Sequence, residues 1–342
     1  MNTPPLCCAS CFGDRGLEKD IIPTLSTGRG ICTYCQAVDV ALVAPSALAD
    51  VFGQLVNIYE DDASGRPLVE WLREDWSMFT ANMTGTRATE LLADILSDAE
   101  AARKSVSPSE RYRSDRLDRW EKLRAELMHE NRYFPDTQLD LERLRELLDH
   151  LQAGTVPTTW YRARLQTGDA AIALTEMGAP PPKIASHGRA NPAGIPYLYL
   201  GSTPETAVAE IRPHTGDTAY VAEFEAQPNL KLVDLREPRK LISPFVLEDE
   251  DEIGLLRSDI AFLERLGDEL TRPVIPQGAP FDYVPSQYLC EFIKKCGYQG
   301  VLYRSSVSKG MNLALFDPTL AKAQVIQRYN VTSVIATIQP IQ

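Results

Sequence analysis

Two Cys-x-x-Cys pairs near the start of the chain, Cys8-Ala9-Ser10-Cys11 and Cys32-Thr33-Tyr34-Cys35, constrain its first segment more than any other feature. Twenty residues separate the pairs, a spacing at which two knuckles place four thiolates tetrahedrally around one Zn²⁺. Residues 1–40 lack apolar periodicity and are rich in Cys and Gly, so this segment needs a staple to hold a fold. Four thiolates close the coordination shell and leave no place for a reactive water, which predicts a structural metal. Cys7 competes with Cys8 as a ligand, and the Cys8 choice gives the usual two-residue spacing. A redox role is the rival reading, but a redox pair normally works singly at a helix start, and here there are two.

From Ala47 the pattern becomes helical. Leu48, Val51, Phe52, Leu55, Val56 and Tyr59 recur at helical spacing, and Leu68, Trp71, Leu72 and Trp76 repeat it after the Ser64-Gly65 break. A third helix is predicted from Thr89 to about Ala101 on Leu91, Leu92, Ile95 and Leu96, followed by a polar loop from Lys104 to Asp115. Two more helices carry the stripes Leu117, Trp120, Leu123, Leu127 and Leu139, Leu141, Leu144, Leu148, Leu151, the last stopping at Gly154. Such stripes predict packing faces.

After Pro157 the pattern turns β-like. Trp160 to Leu165 alternates large and polar residues, Tyr197 to Leu200 is a short apolar run, and Tyr220 to Phe224 followed by Leu230 to Leu235 predicts a hairpin. Helices are predicted over Ile253–Leu270 and Ser286–Lys295, with strands at Val301–Tyr303, Asn312–Phe316 and Ala323–Tyr329. The expected organisation is α+β: a four-cysteine zinc-binding module over residues 1–45, a helical segment over 46–154, and a mixed α/β domain over 155–342.

A net charge of −12 argues against a protein that coats nucleic acid, and Arg15, Lys19 and Arg29 around the Cys pairs are balanced by Asp14, Glu18 and Asp20. No apolar stretch approaches the ~20 residues of a membrane helix, and the start lacks a secretory layout, so no membrane partner and a cytoplasmic location are expected.

Three separated pieces of the second half carry the chemistry. They are Trp160-Tyr161-Arg162, then Gly188-Arg189-Ala190-Asn191 through Tyr199-Leu200-Gly201-Ser202 to Ala207-Val208-Ala209-Glu210, and finally Gly300 to Ser306 leading into Asn312–Phe316. Together, in that order, they resemble the RES domain, a bacterial family named for its Arg, Glu and Ser. The start, Cys8 to Phe12 and Gly30 to Cys35, is similar to the Cys-rich N-terminal domain that accompanies RES domains in larger proteins. The resemblance implies a fold related to ADP-ribosyltransferases and the degradation of NAD⁺ by hydrolysis or phosphorolysis. Many relatives are toxins paired with an antitoxin, so a neutralising protein or an occluded pocket is implied as well. By position, the resemblance implies catalytic roles for Arg162, Glu210 and Ser305, with substrate contacts from Tyr161, Arg189, Tyr199, Ser306 and Asn312. Ser306 and Ser308 compete with Ser305, Ala190 stands where a Trp or Phe is common, and Ile253–Pro273 exceeds what a minimal toxin needs. These departures bear on the toxin role more than on the chemistry.

These residue types suit the reaction on physical grounds. Cleaving the nicotinamide–ribose bond builds positive charge on the sugar, which a fixed carboxylate such as Glu210 stabilises. A guanidinium, Arg162 with Arg189, holds a diphosphate through paired hydrogen bonds. A Tyr199 ring can stack on nicotinamide, and a Ser305 hydroxyl can orient the amide or ribose. Because neutral nicotinamide leaves by itself, no Ser-His pair is required, and His129, His150, His187 and His214 are expected on surfaces or loops, with His187 weighed as a pocket residue. Taken singly, each residue has a plainer reading: Arg162 as a surface ion-pair partner, Glu210 as a solvated helix residue, Tyr199 as strand filler, Ser305 as a cap. Transfer of ADP-ribose to a protein, and a non-catalytic binding module, remain alternatives. The acceptor and the oligomeric state, a homodimer included, stay open.

Overall fold

The computed structural model describes residues 4–247, 249–274 and 279–335. The chain divides into two compact units, one of residues 1–118 with 237–264 and one of residues 119–236 with 265–342. The units are therefore interleaved, in contrast to the consecutive segments 1–45, 46–154 and 155–342 that the changes of periodicity suggest. The helices Arg116–His129 and Leu141–His150 fall almost wholly in the second unit, while residues 237–264 fall in the first. Among the described residues no helix is long and apolar enough to cross a membrane.

In the first unit, β1 (Gly28–Gly30) pairs with β2 (Val40–Leu42) beside the cysteines. The helices Ala49–Val56, Leu68–Trp76 and Gly85–Leu96 follow the apolar stripes and bury Phe52, Leu55, Leu72, Trp76, Leu91, Leu92 and Ile95. Two expectations fail here. Tyr59 leaves the helix and opens β3 (Tyr59–Pro67), which pairs with β4 (Ser105–Pro108) inside the stretch read as polar loop. The strands are polar and show no alternation; side chains such as Ser107, whose Oγ donates to Asp62 at 2.7 Å, satisfy them instead of a core. Tyr59 is fixed by donating to Asp75 at 2.9 Å and accepting from Trp76 Nε1 at 3.2 Å.

The second unit is built on a seven-stranded sheet. Its strands are β5 (Thr159–Leu165), β6 (Leu198–Gly201), β7 (Thr218–Ala226), β8 (Leu232–Asp234), β9 (Gly300–Arg304), β10 (Met311–Leu315) and β11 (Ala321–Asn330), in the order β11-β7-β5-β6-β10-β9-β8. All neighbours are antiparallel except β8 beside β9. Alternation along the strands sets the two faces. Trp160, Leu198, Leu200, Phe224, Leu302, Leu313 and Leu315 join one core, whereas Ala163 and Val221 pack with Ala207 of the helix Pro204–Glu210 in another. Tyr199, Tyr303 and Asn312 alternate with the first set and are thereby free for a site.

The predicted β7–β8 hairpin does not form. β7 lies between β5 and β11, while β8 runs parallel to β9 at the far edge, with all three of its residues buried. Ala153 N donates to Leu232 O at 2.9 Å and Asp234 N to Leu151 O at 2.8 Å, which covers the edge.

Candidate functional site

A cavity of about 320 Å³ opens in the second unit where β5 meets β6. The two strands share a single register position, Tyr161 opposite Gly201. Next to it Arg162 Nη1 donates to the Tyr199 carbonyl at 3.2 Å. The guanidinium is largely buried, its Nε has no partner, and among the described residues no carboxylate pairs with it. Burial first, and Arg164 second, hold its pKa down to about 10, so it remains a cation at neutral pH. A buried cation without an acid is costly, and a ligand anion is the natural partner.

Glu210 stands at the end of the helix Pro204–Glu210 and lines the same cavity. Thr203 caps the helix start by accepting from Thr206 N at 3.1 Å, and Arg212, at φ 49°, turns the chain away just past Glu210. A carboxylate at a helix C-terminus sits against the negative end of the helix dipole. Two neutral donors offset this: Ser305 Oγ reaches Glu210 Oε1 at 2.7 Å and Asn312 Nδ2 reaches the same oxygen at 2.6 Å. Oε2 has no hydrogen bond among the described residues. The site therefore presents a carboxylate with one oxygen tied and one open to the cavity.

Ser305 is buried, and its Oγ also accepts from Val307 N at 3.2 Å and Ser308 N at 3.1 Å. Its bonds run to Glu210 and to its own turn, and it is not one of the residues lining the cavity. Ser308 donates to Thr206 Oγ1 at 3.1 Å, a packing that needs Gly310, where a Cβ would fall 2.1 Å from that oxygen. Ser306 also lies off the cavity wall, at 3.4 Å from Arg189 Nη2. Arg189 lines the cavity, donates through Nη1 to Arg272 O at 2.7 Å, and stacks over Tyr283 at 5.4 Å from the ring centre. Like Arg162, it has no acid partner among the described residues.

Tyr199 and Tyr161 line the cavity. The Tyr199 hydroxyl donates to Asn191 Oδ1 at 2.7 Å and accepts from Ala190 N at 2.9 Å, which ties the Gly188–Asn191 loop to the sheet. Gly188 permits this, since a Cβ there would stand 2.6 Å from the Tyr199 hydroxyl. Burial raises the Tyr199 pKa, so the phenol stays neutral. His187 lines the cavity, whereas His129, His150 and His214 do not. The lining residues not singled out from the sequence include two tyrosines: Tyr283, which precedes the helix Val284–Lys295, and Tyr303 of β9, whose only signal was its place inside the Gly300–Ser306 motif.

The cysteine cluster belongs to the first unit. The Sγ atoms of Cys8, Cys11, Cys32 and Cys35 all lie within 4.8 Å of one another, with Cys8–Cys35 at 3.5 Å and Cys11–Cys32 at 3.4 Å. Tetrahedral Zn–S bonds of ~2.3 Å put sulfurs roughly 3.8 Å apart, so the donor set fits a metal ion of that kind. Cys7 turns aside, its Sγ donating to Val43 O at 3.6 Å, which leaves Cys8 in the cluster.

A family model described as the RES domain matches residues 159–333. No curated protein matches the chain. Among solved structures, the crystal structure of the M. tuberculosis MbcT-MbcA toxin-antitoxin complex is similar at 14% sequence identity and a TM-score of 0.33, over 55% of this chain and 93% of that one.

Proposed function

The chain belongs to the RES domain family, and from that premise we propose that the cavity beside Arg162 and Glu210 binds NAD⁺ and cleaves its nicotinamide–ribose bond. One observation carries the reading: a carboxylate with one oxygen held and one without a described partner lines the same cavity as an arginine that pairs with no acid among the described residues. Charge supports it as well. Two cations, Arg162 and Arg189, against one anion, Glu210, leave the lining with a net positive charge, which complements a dinucleotide with two diphosphate charges and one pyridinium.

In this reading Arg162 and Arg189 hold the diphosphate, and Tyr199 and Tyr161 offer ring faces to the nicotinamide. The bond from the ribose carbon to the pyridinium nitrogen breaks, and its electron pair leaves with neutral nicotinamide. Glu210 Oε2, with the helix C-terminus behind it, stabilises the sugar cation. Water or phosphate then supplies the new bond and releases a proton to solvent. Ser305 and Asn312 act by aiming Glu210. A cavity of about 320 Å³ is near the lower end of ligand-sized pockets and suits one half of the dinucleotide. The cysteine cluster would hold a structural Zn²⁺, and a neutralising protein would restrain the activity in its host.

The test is to incubate pure protein with NAD⁺, with and without phosphate, and to identify products by mass. Free nicotinamide with ADP-ribose or its phosphate ester is expected, absent for Glu210→Ala and reduced for Arg162→Ala. ADP-ribose bound to protein would indicate the transferase instead, and intact NAD⁺ a binding module.

A further inference from the structure

Among the described cavity groups whose polar atoms the proposed reaction leaves without a task, Tyr303 is the buried one. It is 4% exposed, on β9, directly opposite Asn312 of β10. Its hydroxyl makes no hydrogen bond among the described residues. Tyr197, also buried, has a hydroxyl sealed from solvent as well as unpartnered; the Tyr303 hydroxyl is not among such sealed atoms, and Tyr303 lines the cavity. A phenol oxygen in a protein interior normally finds a partner, so one left open toward a ligand cavity points to the ligand as its partner.

Its neighbours narrow what that partner is. Asn312, its cross-strand partner, donates to Glu210, and both Glu210 and Arg189 are close enough to act on the Tyr303 phenol electrostatically. Burial, with Tyr199 and Glu210 adding to it, holds the phenol well above its usual pKa, so it is a neutral donor. The cavity thus sets an O–H donor, Tyr303, near an open carboxylate acceptor, Glu210 Oε2. A hydroxyl both donates and accepts, so it fits that pair, whereas a hydrogen or a methyl in its place leaves both unsatisfied.

We propose that Tyr303 is a specificity-determining residue that, together with Glu210, reads a hydroxyl of the ribose next to the scissile bond and so selects ribosyl over deoxyribosyl substrates. The proposal rests on the reading of the cavity as an NAD⁺ site. Tyr303 donates to the sugar oxygen while the sugar proton points to Glu210, which orients the carboxylate toward the carbon that becomes cationic.

The experiment compares wild-type protein and Tyr303→Phe on NAD⁺ and on NAD⁺ carrying 2′-deoxyribose on the nicotinamide side. Phe keeps the ring, and the hydroxyl it removes has no described protein partner, so the fold is expected to persist; thermal melts of both proteins check this, and Tyr197→Phe controls for the loss of a phenol elsewhere in the unit. On NAD⁺, Tyr303→Phe is expected to lose about tenfold in kcat/KM, while its rate on the deoxy analogue stays within about twofold of wild type. Equal losses on both substrates, or no loss on either, would overturn the role given to Tyr303. Wild-type protein that leaves NAD⁺ intact would overturn the enzymatic reading itself, and the Tyr303 proposal with it.

Discussion

Replacing Glu210 by Gln separates charge from shape at the proposed site. Glutamine keeps an oxygen that can still accept from Ser305 Oγ and Asn312 Nδ2, now at 2.7 and 2.6 Å from Oε1, and it removes only the negative charge. A unit charge 4 Å from a developing cation is worth about 1 kcal/mol in water and about 4 kcal/mol at the effective dielectric of a protein surface. Glu210 is exposed in the free protein, but substrate filling the cavity displaces water, so the upper part of that range applies. About 2–4 kcal/mol corresponds to a loss of roughly 30-fold to 1,000-fold in kcat. Because the group is exposed, the melting temperature is expected to stay unchanged. Ser305→Ala removes one of the two donors to Oε1 and should cost about fivefold, near the net worth of one hydrogen bond. Since Ser305 acts through Glu210, the double mutant should be no slower than Glu210→Gln alone. Initial rates of nicotinamide release at saturating NAD⁺ measure all three. A Glu210→Gln enzyme within fivefold of wild type, or a double mutant whose losses multiply, would refute the reasoning.

Other outcomes follow from features outside that carboxylate. Metal analysis should find about one zinc per chain, lost when Cys11 and Cys35 are both changed to Ser and kept in Cys7→Ser, because Cys7 bonds Val43 O rather than the cluster. Tyr197→Phe should leave stability unchanged or raise the melting temperature by a few degrees, since its buried hydroxyl has no partner while its ring packs on Phe316 at 4.9 Å. A fall of more than about 5 °C would show that the hydroxyl has a partner after all.

Much of this was legible in the sequence where local chemistry decides the outcome. The Cys-x-x-Cys spacing identified the four clustered thiols, and alternation for β5 with short strand-like runs for β6, β9 and β10 located those strands to within a residue or two. The order of three motifs placed Arg162, Glu210, Tyr161, Tyr199, Arg189 and Asn312 on one cavity. What stayed hidden depends on contacts between distant residues. β3 and β4 carry no apolar rhythm, so nothing in Tyr59–Pro67 announced a strand. β7 and β8 are neighbours in sequence, which favours a hairpin, yet β8 closes the opposite edge beside β9. Ser305 was expected at the substrate, and the 2.7 Å bond from its hydroxyl to Glu210 is a contact between distant residues that spacing alone does not reveal. Tyr283 lies outside the three motifs, and Tyr303 lies inside the third without a role of its own.

The single shared register position between β5 and β6 has a mechanical meaning. It divides the sheet into a three-stranded and a four-stranded ladder along one seam, with Arg162 on one side and Tyr199, Asn312 and Tyr303 on the other. Any molecule gripped from both sides at once acts as a staple across that seam, and amide exchange in β5 and β6 should slow together when it binds.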